Sequence, residues 1–397
     1  MATKNARTEK LADTEFTVEW LSEVIQKSLE SKAKLVDWKI NEIAAGQGYL
    51  AVILAVDLKW EPRNEKLPNS VVVKVPKTAS ISFVFAGQGE ETGDDNLERW
   101  LAMAHSLECD SFKLLRGAEL LTPKMFYCQP VRKDASGAIV MQKLNGVAAN
   151  FVNGLSKEQI MSSAAGLAEM HAHCLKQDSS EWKKTFRVDD PPSKVLLTNM
   201  FDGLYEGARA AMTQCRPELF RKYLETVLDK FDKNQVYQWQ YHMHEDLGMP
   251  AVLVNGDLWS QNVMFSPDAN GNAGPKASGI VDFQFGHPGT CMEDLCVLTM
   301  TSCAPELRRQ EWKKIVAHYY QTLEKSLGRK VPFSLEVTER AFKGMERWGM
   351  LFLLGSSSLW PTMMHVTDSP NPEAAIDVLA ERLKQAILDT WPECVRD

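Results

Sequence analysis

The chain has 397 residues, 44% of them hydrophobic and 24% charged, the balance of a folded water-soluble protein, which excludes wholesale disorder. Its 45 Lys and Arg against 52 Asp and Glu leave a formal charge of −7, so no overall positive field is present for a polyphosphate backbone, and nucleic acid is excluded as a partner. At roughly 150 residues per domain the length predicts two or three lobes. The eight cysteines never form a C-x-x-C pair, so reduced, mostly buried thiols are expected rather than a zinc ribbon. The polar N-terminus lacks a signal-peptide core, and the most apolar stretch, residues 348–360, falls short of the ~20 residues that span a bilayer. A cytoplasmic protein without a membrane span is expected.

Residues 17–30 place Val18, Leu21, Ile25 and Leu29 at helical spacing and predict an amphipathic opening helix within an N-terminal extension, 1–34. From Trp38 to Pro76 the rhythm becomes that of strands. Residues 51–58 and 70–76 read as a hairpin around a Pro/Asn turn, and the second strand carries Lys74 within a valine run. A helix over 97–115 and strands over 124–129 and 138–143 complete a mixed first lobe, 35–145. The rest, 146–397, reads as mainly helical, with strand signals at 251–254, 262–265 and 279–283; the last two flank a turn-rich loop expected to be a hairpin connection.

The chemistry concentrates in Asn255-Gly-Asp-Leu-Trp-Ser-Gln-Asn-Val263 and Val281-Asp-Phe-Gln284. Phosphoryl transfer needs a carboxylate that orients the attacking hydroxyl and accepts its proton, with hard oxygen ligands for magnesium. Asp257, Asn262 and Asp282 supply that set. The interval from Asp257 to Asn262 equals the D-x-x-x-x-N spacing of a kinase catalytic loop, and Asp282-Phe283 stands where D-F-G would. The hairpin is expected to return Asp282 beside Asn262. Upstream, Gly46 and Gly48 would let backbone amides approach a phosphate, although Ala51 replaces the third glycine of G-x-G-x-x-G, and an ordinary turn fits equally well. An ammonium in a buried strand needs a carboxylate. Glu108 is the expected partner of Lys74, with Glu98 and Asp110 as substitutes.

Together with Glu293-Asp-Leu295, these segments resemble the CHK-kinase-like and ecdysteroid-kinase-like family, relatives of choline kinase and aminoglycoside phosphotransferases, over about residues 35–390. The resemblance implies an α+β, two-lobed protein-kinase-like fold: a small mixed β-sheet N-lobe and a larger, mainly helical C-lobe. It further implies ATP- and magnesium-dependent phosphorylation of a hydroxyl on a small molecule. Asp257 would be the catalytic base, Asn262 and Asp282 the metal ligands, and Lys74 with Glu108 the phosphate-anchoring pair. The strand Ile139-Val-Met-Gln-Lys-Leu-Asn-Gly146 resembles the family's lobe connector, so backbone groups of Gln142 and Leu144 would bind adenine, while Asp294 would brace the catalytic loop. The family pattern begins His-Gly-Asp; Asn255 replaces that histidine, which predicts weakened loop geometry and keeps open the alternative of a catalytically weak or inactive, regulatory pseudokinase.

Other signals carry less. Ala304-Pro-Glu306 imitates a protein-kinase A-P-E, but the apolar run before it reads as a packed helix, so this is expected to be a helix start and a protein-kinase assignment is disfavoured. His242 and His244 read as a solvated face and His171 as a core histidine; His287 reads as a loop residue or a phosphate neighbour. Trp348, Phe352, Trp360, Met363 and Met364 could form an acceptor wall for a steroid-like, choline-like or xenobiotic alcohol, with Trp348 and Trp360 as binding residues; at helical spacing core packing is the heavier expectation. Acceptor identity, nucleotide preference and oligomeric state are not written in these residues.

Overall fold

The structure, a computed structural model, describes residues 8–43, 51–63, 65–77 and 94–396. The chain is α+β, 53% helix and 17% strand, with a small antiparallel sheet in its N-terminal region and a mostly helical remainder. It divides into two compact units, the first built from described residues up to 77, 94–116 and 123–144, the second from 117–122 and 145–396.

In the first unit Thr17 caps helix α1, Val18–Ser28, by accepting the Trp20 N–H at 3.2 Å. The apolar stripe expected there is buried at Val18, Leu21 and Ile25. Five antiparallel strands follow: β1 Lys34–Glu42, β2 Ala51–Glu61, β3 Ser70–Pro76, β4 Met125–Gln129 and β5 Ala138–Gln142, in the order β1-β2-β3-β5-β4. Alternate residues of a strand face opposite sides. Val71, Val73 and Val75 therefore join Leu54, Val56 and Val140 in one core with the α1 residues. Lys74 is turned to the other side, where helix α2, Asp94–Leu114, carries Glu108.

In the second unit helix α3, Lys157–Leu175, starts with a capping box between Ser156 and Gln159. The short strands are β6 Val147–Ala148, β7 Val252–Val254, β8 Val263–Pro267, β9 Ala273–Ile280 and β10 His287–Gly289. β8 pairs with β6 and β9, and β7 with β10, all antiparallel. The β8–β9 connection turns at Asp268, whose Oδ1 accepts the N–H groups of Asn270 and Asn272 at 2.8 and 2.9 Å. That turn sets the register Val263 opposite Ile280, which returns the chain to Asn262. The remaining helices include Pro191–Cys215, Lys233–Asp246, Glu293–Ser302, Pro305–Leu327, Leu335–Ser356 and Pro372–Thr390.

Every residue of Glu293–Ser302 is buried, and Pro305 occupies the first turn of the next helix. The A-P-E lookalike is a helix start, as the packed apolar run before it predicts. Among the described residues no helix is long and apolar enough to cross a membrane.

His171 is a core histidine: fully buried on α3, its Nδ1 lies 2.7 Å from the Tyr319 hydroxyl on the helix Pro305–Leu327. Burial pushes its pKa down to about 3. Below pH ~6.5 the unfolded chain takes up a proton that the folded ring refuses, so stability is lost as pH falls from ~6.5 toward 3. His105 and His244, both pushed down to about 4 by burial, act in the same direction. Denaturant unfolding at pH 7, 6 and 5 should show His171→Gln with a shallower acid slope, by up to about 1.4 kcal/mol per pH unit. An unchanged slope would contradict the neutral buried ring.

Candidate active site

β7 ends at Val254 and the chain turns through Asn255 and Gly256 into Asp257. Asp294, in the first turn of Glu293–Ser302, holds this turn: Oδ2 accepts the Asn255 N–H at 2.8 Å and Oδ1 the Gly256 N–H at 3.0 Å. Burial raises the Asp294 pKa to about 7, against the pull of those two bonds. Gly256 has φ +79, and a Cβ there would lie 2.4 Å from the Phe285 carbonyl oxygen, so only glycine fits.

Asn255 is fully buried, and a buried amide must find partners for both of its ends. Its Nδ2 donates to the carbonyls of Val281 at 3.1 Å and Asp282 at 2.9 Å, and its Oδ1 accepts the Asp257 N–H at 3.1 Å. One side chain thus ties the turn that carries Asp257 to the segment that carries Asp282. At the position where the family pattern has histidine, the amide makes these three bonds.

Asn262 closes the set. Its Nδ2 donates to the Asp257 carbonyl at 2.8 Å and to Asp257 Oδ2 at 3.0 Å, while its backbone carbonyl accepts the Val281 N–H at 3.0 Å. With the amide nitrogen committed to Asp257, Oδ1 is the Asn262 atom left for a ligand. Asp282, half-buried, sits just past β9 at φ +60, a backbone state that costs a non-glycine residue on the order of 1 kcal/mol and persists only when its surroundings enforce it. The bond from Asn255 to its carbonyl does so. Asn262 Oδ1 and the Asp282 carboxylate are hard oxygen donors of the kind magnesium accepts when phosphates and water complete its shell. Among the described residues no cluster of three His, Cys, Asp or Glu forms an all-protein metal site.

Two supporting residues escape sequence reasoning. Ser302 Oγ accepts the Ser260 N–H at 3.0 Å, and Arg382 donates to the carbonyls of Thr301 at 2.7 Å, Phe151 at 3.0 Å and Val152 at 2.9 Å. Both act across long stretches of chain, and no local pattern marks them.

In the first unit Lys74 Nζ lies 2.7 Å from Glu108 Oε2, the side chains 8% and 1% exposed. Lys74 is in the middle of the sheet, opposite Ile53 and Ile139. Of the substitutes, Asp110 binds Lys113 at 2.8 Å and Glu98 is exposed. Gln142, opposite Val71 at the end of β5, gives its backbone N–H to the Lys124 carbonyl at 2.8 Å, and Leu144 is half-buried. Gly46 and Gly48 lie outside the described residues.

Trp348 and Trp360 are core residues. They are 3% and 1% exposed, and their indole N–H groups donate to Glu293 Oε1 and Ser356 Oγ, both at 3.1 Å. The acceptor-wall expectation for these two gives way to packing, since periodicity treats a lining and a core alike. His242 pairs with Asp189 at 3.0 Å and Glu245 at 3.3 Å, whereas His244 is buried, not solvated. His287 is fully buried, with Nδ1 2.8 Å from the Phe285 carbonyl and Nε2 3.3 Å from Glu293. Burial opposes its charged form, but the Glu293 carboxylate holds its pKa above the usual value. Both of its ring nitrogens are engaged within the protein, by the Phe285 carbonyl and the Glu293 carboxylate.

A family model described as DUF1679, Uncharacterized oxidoreductase dhs-27, matches residues 6–390. The Caenorhabditis elegans protein named Uncharacterized oxidoreductase dhs-27 is 25% identical over 339 residues, which is 83% of this chain but 40% of that relative. This chain thus spans well under half of that relative's length. A second Caenorhabditis elegans protein, named Uncharacterized kinase-like protein D1044.1, is 23% identical over 290 residues, 71% of this chain and 72% of its own. Among solved structures, choline kinase from Cryptosporidium parvum Iowa II superposes with a TM-score of 0.51 over 94% of this chain and 96% of that one, at 10% identity, a likeness of fold. The chain belongs to the DUF1679 family and has a protein-kinase-like, α+β fold.

Proposed function

We propose that this chain is a kinase that uses ATP and magnesium to phosphorylate a hydroxyl of a small molecule. The observation that carries the reading is the joint fixing of Asp257, Asn262 and Asp282 by the Asn262 and Asn255 amides. Asp257 would accept the hydroxyl proton and aim the oxygen at the γ-phosphate. Asn262 and Asp282 would hold magnesium, which when bound offsets charge on the phosphate oxygens. From the first unit Lys74, kept in place by Glu108, would bind phosphate oxygens as charge spreads in the transition state. Backbone amides at Gly46 and Gly48 would approach the phosphates, and backbone groups of Gln142 and Leu144 would bind adenine. The acceptor class is a steroid-like, choline-like or xenobiotic alcohol. The three bonds of Asn255 support a working loop over a pseudokinase. The word oxidoreductase stands in the description of the family model and in the name of a relative of which this chain matches 40%; the reading here rests on the carboxylate and amide set instead.

Three substitutions test this reading. Asp257→Asn should lower turnover by roughly 100-fold or more with nucleotide binding kept, read as acceptor-dependent ADP release; undiminished turnover would reject Asp257 as the base. Asp282→Ala should abolish the magnesium-dependent part of ATP affinity in a calorimetric titration, and an affinity equal to the parent's would count against it. Asn255→Ala leaves buried groups unpaired and should cost about 1–3 kcal/mol of stability together with a fall in kcat; full activity in that variant would show that the amide does not set the loop.

A further inference from the structure

His105 on α2 has no part in the chemistry proposed above, yet it is buried one helical turn before Glu108, on the same face of the helix. Its Nε2 lies 2.9 Å from the carbonyl oxygen of Gln129, the last residue of β4. A carbonyl only accepts, so Nε2 carries the ring proton. Burial, with the Lys74 charge adding to it and the Gln129 bond opposing it, pushes the ring down to about 4, and at pH 7 it is neutral.

The hairpin between β4 and β5 is shaped to receive this ring. A Cβ at Gly137 would lie 2.6 Å from both Nε2 and Cδ2 of His105 and 2.9 Å from Val131 Cγ2. Gly137 is not one of the positive-φ glycines, so glycine stands there for room and not for backbone shape. The Gln129 side chain clasps the hairpin, accepting the Tyr127 hydroxyl at 2.6 Å and donating to the Ser136 carbonyl at 2.7 Å. Two residues past Gly137, Ile139 pairs with Lys74. The other contacts of α2 run through buried apolar residues such as Leu101, Ala104, Leu107 and Phe112. Apolar contact has no direction and resists a small rotation of the helix weakly, whereas a hydrogen bond to a fixed carbonyl holds one orientation.

We propose that His105 is a positioning residue: seated in the glycine recess of the β4–β5 hairpin, it fixes the rotation of α2 and so places Glu108 and, through it, the Lys74 ammonium. This rests on the reading of Lys74 as the group that binds phosphate. Loss of the ring N–H then costs the phosphate part of nucleotide affinity and spares the nucleoside part.

The test is calorimetric titration of the full chain with magnesium–ATP and, separately, with adenosine. His105→Phe keeps the ring volume and removes the N–H; ATP affinity should fall roughly 10-fold, the loss of about one contact to a charged group, with adenosine affinity unchanged. His105→Gln, which returns an N–H near the place of Nε2, should restore the ratio of the two affinities. Gly137→Ala should repeat the effect of His105→Phe from the hairpin side, and it carries the same comparison should His105→Phe fail to fold. A ratio equal to the parent's in either variant would overturn the proposal. A parent chain that binds neither ligand would reject the reading of Lys74, and hydrogen exchange over residues 98–114 then decides the anchor alone: faster exchange in His105→Phe than in His105→Gln is expected, and equal exchange would overturn it.

Discussion

A buried side-chain amide must satisfy every polar end, and in this chain Asn255 does so by joining two segments that sequence keeps apart. Its Nδ2 reaches the carbonyls of Val281 and Asp282, and its Oδ1 takes the N–H of Asp257. Asp294 completes the clamp from beneath by accepting the backbone N–H groups of Asn255 and Gly256. Each such bond contributes on the order of 1 kcal/mol net, but an orphaned group in this fully buried place costs more than that, so the set is made together or not at all. The strained backbone of Asp282 and the turn at Gly256 both rest on it.

The first unit meets a comparable demand with charge. The valine run of β3 keeps the sheet buried, and the one ammonium in it is tolerable because Glu108 stands 2.7 Å away. A buried pair of this kind is weak as a source of stability and strong as a constraint, because removal of either partner leaves an uncompensated charge. That asymmetry fits a lysine whose place matters more than the free energy it contributes.

Much of this was legible in the sequence, for identifiable reasons. Two apolar, β-branched runs around a Pro/Asn turn mark the β2–β3 hairpin, and a lysine in an apolar strand demands an acid, which α2 supplies at Glu108. The turn residues between β8 and β9 fixed a register that brings Asp282 back to Asn262. The strands β6 and β10 are not legible, because Val147–Ala148 and His287–Gly289 are short and, unlike the three apolar residues of β7, form no apolar run. The partners of Asn255 are backbone groups that leave no trace in sequence, so its three bonds are legible only in the structure. Ser302 holds the loop at Ser260 from far along the chain, Arg382 binds the Thr301 carbonyl beside it, and neither carries a motif. Trp348 and Trp360 show the limit of periodicity: an aromatic stripe at helical spacing reads the same whether it lines a pocket or fills a core, and here both indoles are enclosed. His244 was expected in solvent, yet it is 3% exposed, because its helix packs that face inward.

The central claim is that these oxygen-bearing side chains move a phosphoryl group to an alcohol. The most direct measurement is transfer of the γ-phosphate of labelled ATP, with magnesium present, to a panel of hydroxylated sterols, amino alcohols and xenobiotic alcohols. The account predicts a labelled phosphate ester of at least one acceptor, absent when magnesium is chelated. Tight, magnesium-dependent ATP binding with no labelled ester from any acceptor class would contradict it.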